Sequence, residues 1–139
     1  MLSRFSGGVP AGRYILQTNF NDFLTPAQTG EFLWFGLRSL NITESSTQSL
    51  YPIAATLTEI AIELTGNNLD VASVNTLTLR KEGSDTTFIL VIPDTFTGTI
   101  IHTGLESFAA GDIVVMRWDT NSVGGSCNMK GLGGAGRAP

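Results

Sequence analysis

The stretch Thr76-Leu77-Thr78-Leu79-Arg80-Lys81-Glu82-Gly83-Ser84-Asp85-Thr86-Thr87-Phe88-Ile89-Leu90-Val91-Ile92 decides the fold class. Its first half alternates polar and apolar residues, which puts Leu77 and Leu79 on one face of an extended chain. Its second half puts Phe88, Leu90 and Ile92 on one face in the same way. The link Lys81–Asp85 is short and polar, so the two runs form an antiparallel hairpin.

The same pattern extends outward in both directions. Strands are expected at Arg13–Phe20, Glu31–Leu37, Ala55–Leu64, Thr76–Lys81, Thr86–Ile92, Gly98–His102 and Asp112–Asp119, with an eighth around Leu40–Thr43 or Gln48–Ile53. Turn residues punctuate them at Pro26, Gly30, Pro52, Gly66-Asn67-Asn68, Pro93-Asp94, Gly104 and Ala110-Gly111-Asp112. The best helix candidate, Leu57–Leu64, reads better at period two, with Ile60, Ile62 and Leu64 facing one way and Ala61 and Glu63 the other. The expected fold is all-β: an antiparallel two-sheet sandwich of jelly-roll type, with about eight strands in about 110 residues. An immunoglobulin-like sandwich is the alternative, and the missing cysteine pair weakens it only slightly.

The chain of 139 residues, 14.8 kDa, has room for one domain and not for a second sizeable core. Charged residues make up 14%, against about 25% in ordinary globular domains. Apolar residues make up 42%, far from the composition of a disordered chain. One cysteine excludes an internal disulfide and a thiolate zinc cage, and one histidine removes most catalytic triads. A net charge of −4 argues against duplex nucleic acid as a partner. No run approaches the ~18 apolar residues that span a bilayer, and Met1–Gly8 lacks the apolar run of a signal peptide.

Charge divides the chain. All twelve acidic residues lie between Asp22 and Asp119. Arg4 and Arg13 precede them, and Lys130 and Arg137 follow them. The last eighteen residues also hold six glycines, a composition with high chain entropy and little to bury. The expected organisation is an N-terminal arm over 1–12, a β-sandwich over 13–121, and a glycine-rich C-terminal arm over 122–139.

Two strands are apolar on both faces. Thr86–Ile92 offers Ile89 and Val91 on its second face, and Asp112–Asp119 offers Ile113 and Val115 there before Arg117. A solitary sandwich shows water a polar face at such positions. The covering element is either the chain's own loops and arms or a second subunit. The second reading is adopted as the expectation: a homotrimer whose interface holds Ile89, Val91, Ile113 and Val115. The aromatic cluster Phe32-Leu33-Trp34-Phe35, with Tyr14, Phe20 and Phe23 upstream, reads as core, since no polar partners of a sugar-stacking platform accompany it.

Catalytic and metal chemistry is not written in the chain. His102 follows Ile100-Ile101 at a strand end, and Ser107 and Cys127 stand in no nucleophile context. Asp70, Asp85, Asp94 and Asp112 lie at turns, but no D-x-D-x-D-G loop gathers them around Ca²⁺. Asn41-Ile42-Thr43 matches the glycosylation sequon, a pattern too common to carry weight without a secretory signal. No glycine-rich segment continues into the Gly-Lys-Ser/Thr of a phosphate loop. The expectation is no enzyme activity, no catalytic residues, no metal site and no cofactor.

One composite pattern goes further. Leu79-Arg80-Lys81-Glu82-Gly83 ends a strand; an apolar strand closes on Val91-Ile92-Pro93; Phe96-Thr97-Gly98 makes a turn; and Phe108-Ala109-Ala110-Gly111-Asp112-Ile113-Val114 leads the last strand. Over roughly residues 55–120 this resembles the small β-sandwich proteins of tailed-phage particles, the head decoration (cement) proteins and tail-fibre tips, which are commonly trimeric jelly rolls. The resemblance implies no catalytic residues.

Chain anatomy separates the two. A fibre needs a long stem, and this chain enters its first expected strand by about Arg13. A decoration protein needs a compact body and a grip on the shell. The expectation is therefore a structural virion protein on the outer capsid surface, a trimer bound to the major capsid protein of the same particle. Its contacts would be Arg4, Phe5, Val9 and Arg13 at one end, and Met129, Lys130, Leu132 and Arg137 at the other. The alternative is the receptor- or carbohydrate-binding tip of a phage fibre, with a host-surface glycan as partner. A small polysaccharide-processing enzyme is the third reading, and the lack of paired acids in any motif sets it aside.

Overall fold

The computed structural model describes residues 54–137 in full, and the strands β1 (Arg13–Leu24), β2 (Thr29–Leu33) and β3 (Ser49–Leu50) by their backbone pairing. The fully described part holds β4 (Ala55–Asn67), β5 (Asn75–Lys81), β6 (Ser84–Val91), β7 (Gly98–Phe108), β8 (Ile113–Thr120) and β9 (Cys127–Arg137). No helix occurs among the described residues. These six strands make two antiparallel three-stranded sheets, in the orders β9-β4-β7 and β8-β5-β6. β1 extends the first sheet at β9, β2 extends the second at β8, and β3 also pairs with β8.

The hairpin read first from the sequence is the centre of this architecture. Lys81 pairs with Ser84 across Glu82 and Gly83, both at positive φ (51° and 77°), the geometry of a two-residue primed turn whose twist matches the flanking strands. From that turn the pairing nests outward: β5 with β6, β4 with β7, β2 with β8, β1 with β9. The nested pairs fall alternately in the two sheets, β5–β6 and β2–β8 in one and β4–β7 and β1–β9 in the other.

Alternation places the core. Ile60, Ile62 and Leu64 of β4 face Leu77 and Leu79 of β5, Phe88 and Leu90 of β6, and Met116 and Trp118 of β8 in one buried cluster. The opposite faces, Glu63 on β4 and Ile89 and Val91 on β6, are exposed. Each fully buried Leu, Ile, Phe or Met stabilises the fold by about 1.5–3 kcal/mol. Two sheets packed on this shared core make a β-sandwich-like all-β fold.

The C-terminal segment departs from expectation. Residues 127–137 are not an arm: β9 lies between β1 and β4, hydrogen-bonded to both. Its inward face is Cys127, Met129, Leu132, Gly134 and Gly136, all buried. Glycine suits this place for a steric reason. A Cβ on Gly134 would sit 3.3 Å from the Glu59 carbonyl and 3.3 Å from Leu57 Cδ1. The sandwich therefore continues through Arg137 rather than ending at residue 121. The expected N-terminal arm, Leu40–Thr43 and the second half of Glu31–Leu37 lie outside the described residues, as do the side chains of the Phe32–Phe35 cluster.

Candidate functional site

Three loops gather at one end of the sandwich, because β4, β6 and β8 all finish there: 68–74, 92–97 and 121–126. Their sequences are rich in Asn, Asp, Ser and Gly, whose short side chains compete for nearby backbone groups. Here those side chains tie loop to loop. The Asp70 carboxylate accepts from the N–H groups of Val123 (2.8 Å) and Gly124 (3.0 Å). Ser122 Oγ accepts from Asp70 N–H (2.8 Å) and donates to the Gly124 carbonyl (2.7 Å). Asn121 Oδ1 accepts from Val74 N–H, Asp94 Oδ2 from Ala72 N–H, and Asn68 Oδ1 from Ser126 N–H. Asn67 Nδ2 donates to the carbonyls of Pro93 and Phe96. Buried Asn75 donates to the Ile92 carbonyl and accepts from the Thr120 hydroxyl.

The backbone at this end is strained. Ala72 and Thr95 hold positive φ (62° and 63°), an uncommon conformation for Ala and an outlier for a β-branched residue. Gly125 has φ 73°, and a Cβ there would overlap the Asn68 carbonyl at 1.9 Å. Strain of this kind persists only where surrounding contacts over-determine it. Val71, Val74, Phe96 and Val123 stand exposed on these loops. At the loop bases lies a cleft of about 340 Å³, lined by Gly66, Asn67, Asn68, Ser126 and Asn128. Asn128 Oδ1 is buried there without a hydrogen-bond partner. An unmade buried acceptor costs about 1–3 kcal/mol.

Apolar residues are also exposed on the outward faces of the edge strands β6 and β7, one in each sheet. Phe88 of β6 meets the His102 ring of β7 edge-on at 5.2 Å, so the two edge strands adjoin. The exposed face of β7 reads Thr99, Ile101, Thr103, Leu105 and Ser107, and that of β6 reads Thr87, Ile89 and Val91. Ile101 is 57% exposed, Leu105 66%, Ile89 41% and Val91 60%; the β7 row holds no charge, and the β6 row begins with the exposed Asp85. Both edges carry a register shift, between Thr103 and Glu106 of β7 and between Asp85 and Ile89 of β6, of the kind that protects edge strands from pairing.

Beside Ile89 and Val91, the outward face of the second sheet carries a cluster of charges. Arg117 bonds Asp85 through two nitrogens (2.8 and 3.1 Å) and Asp119 through Nε (2.6 Å), while Arg80 bonds Asp85 and the Gly83 carbonyl. Burial pushes the Asp85 carboxyl up, but the Arg117 and Arg80 bonds and charges outweigh it and hold it below the usual carboxylate range. Burial likewise pulls Arg117 down, and Asp119 and Asp85 more than reverse it. At the opposite end Lys81 pairs with Glu106 (2.9 Å) and lies over the Phe108 ring.

The residues expected at an interface are thus divided. Ile89 and Val91 are exposed, and Ile113 is half-buried. Val115 is only 1% exposed within the single chain, so the chain's own residues cover it and leave it unavailable to a subunit. Of the expected capsid contacts, Met129 and Leu132 belong to the core because β9 is an inner strand; Lys130 and Arg137 are exposed. Arg4, Phe5 and Val9 lie outside the described residues, and Arg13 is placed only by its pairing with Arg137. Burial drives the Cys127 thiol up to about 12, which leaves it neutral. Ile101 and Leu105 were not anticipated; the alternation of Thr99-Ile100-Ile101-His102-Thr103-Gly104-Leu105 carries that signal once the strand is extended past His102. No protein-family model matches the chain, and a search of curated proteins finds no match either.

Proposed function

We propose that this chain is a structural virion protein, a jelly-roll subunit that decorates the outer capsid surface as a homotrimer. The nested pairing supports the jelly-roll reading: apart from β2–β3 and the β5–β6 hairpin, successive strands alternate between the sheets. The observation that supports the assembly is the exposure of Ile89 and Val91 on β6 and of Ile101 and Leu105 on β7. Of the expected subunit contact, Ile89 and Val91 are kept, half-buried Ile113 and buried Val115 are left out, and Ile101 and Leu105 are added. The capsid grip falls to exposed groups on the body and the ends, Lys130 and Arg137 among them. Rim ion pairs are worth only about 0–1 kcal/mol each, so attachment needs the multiplied contacts of an oligomer. Binding to the assembled lattice alone would stabilise the shell by mass action.

The test is stoichiometry. Purified particles that contain the protein are digested, and its copy number is measured by mass spectrometry against the major capsid protein. Decoration gives a copy number that scales with the capsid lattice. A few copies per particle, or none, contradicts it.

A further inference from the structure

The loop end carries a reading that does not rest on the virion proposal. Its polar side chains are spent on the loops themselves: Asn68, Asp70, Asp94, Asn121 and Ser122 each bond the backbone of a neighbouring loop. What the loops present to solvent is apolar. Val71 and Val123 are 84% and 81% exposed, and Val74 and Phe96 are exposed on the same loops. The ties gather these residues at one end. Val123 N–H bonds Asp70, the residue before Val71; Asn121, two residues before Val123, accepts from Val74 N–H; and Asp94, two residues before Phe96, accepts from Ala72 N–H. Exposed apolar residues gathered in one place mark an interaction surface, and binding residues concentrate on loops that a scaffold positions. The positive φ of Ala72 and Thr95 agrees with this, because backbone strain collects at binding sites.

Charge selects the partner. In the segments 68–74, 92–97 and 121–126 the charged residues are Asp70 and Asp94, and the sequence Thr25-Pro26-Ala27-Gln28 that links β1 to β2 adds none. Backbone N–H donors carry no net charge, so their bonds leave both negative charges in place. Such a surface repels an anionic bilayer and an identical loop end. It is complementary to apolar side chains flanked by Lys or Arg. The loops are already tied to one another in the unbound chain, so a partner does not have to supply the cost of ordering them. We infer that the loop end docks a basic, apolar peptide segment of another protein, with Val71, Val74, Phe96 and Val123 as the contact and Asp70 and Asp94 as the charges that choose it.

The experiment selects peptides from a yeast-displayed library of random sequences on the full chain, after depletion on the double variant Val71→Ser, Val123→Ser. Both residues are exposed, so the variant should melt and sediment as the wild type does. The enriched peptides should be rich in Lys, Arg and large apolar residues and should bind the wild type about tenfold or more tighter than the variant. Made synthetically, they should shift the ¹⁵N amide signals of Val71, Val74, Phe96 and Val123, and added salt should weaken their binding. If the double variant does not fold, Val71→Ser alone takes its place. No enrichment over the variant, enrichment of acidic peptides, or shifts confined to other surfaces would overturn the inference. So would binding of the wild type but not the variant to phosphatidylcholine–phosphatidylserine vesicles, or a lower sedimenting mass of the variant, since these would assign the loop end to a membrane or to a second copy.

Discussion

Asp85 shows how a single residue organises a sheet face. Two arginines from different strands, Arg80 of β5 and Arg117 of β8, converge on its carboxylate at the start of β6. The carboxylate is partly exposed, with 44% of its side-chain surface reaching solvent, so screening keeps its contribution to about 1 kcal/mol or less. The direction with pH is still fixed. A carboxyl held below its ordinary 3.8 contributes stability that is complete well above that value and is lost as pH falls through its folded value. Asp85→Asn should therefore lower stability at neutral pH, and the gap to wild type should close below about pH 3.8. Urea unfolding of both proteins at a series of pH values measures this. A gap that stays constant down to full carboxylate protonation would show that the charge plays no part.

At the scale of elements, β9 decides how the C-terminus is understood. Its composition reads as a tail because glycine is costly in a strand and offers no side chain to bury. Pairing on both sides and the three anchors Cys127, Met129 and Leu132 override that preference. Leu132→Ala should cost about 2–5 kcal/mol in denaturant unfolding, as expected of a core leucine. Deleting residues 122–139 should abolish cooperative unfolding, since it strips β4 of an inner neighbour; a folded truncated protein would restore the arm. The hairpin and the Ile60–Leu64 part of β4 were legible because period two holds there and the turn between β5 and β6 has two residues, and β8 was legible as a short apolar run. β9 was not legible because register shifts at Glu63/Leu64 and Leu64/Gly66 break its period, leaving Met129 and Leu132 on one face at a spacing of three. The loop end was legible only as turn chemistry. That Asp70, Asn68 and Asn121 fasten loops more than forty residues apart is a tertiary fact, which no local spacing reveals.

Among the described residues, one sheet carries a cluster of charges on its outer face, one end is closed by hydrogen-bonded loops, and the edge strands β6 and β7 expose Ile89, Val91, Ile101 and Leu105. The last of these carries the account of assembly, and the most direct measurement is the mass of the purified protein in solution. Sedimentation equilibrium at micromolar concentration should give three times the chain mass of 14.8 kDa. The double variant Ile101→Glu, Leu105→Glu should sediment as a single chain with its fold intact, because both residues are exposed in the isolated subunit and a charge buried at a contact is strongly disfavoured. A wild-type protein that sediments as one chain, or a double variant that remains trimeric, would contradict the claim that the β6–β7 side is where copies of this protein meet.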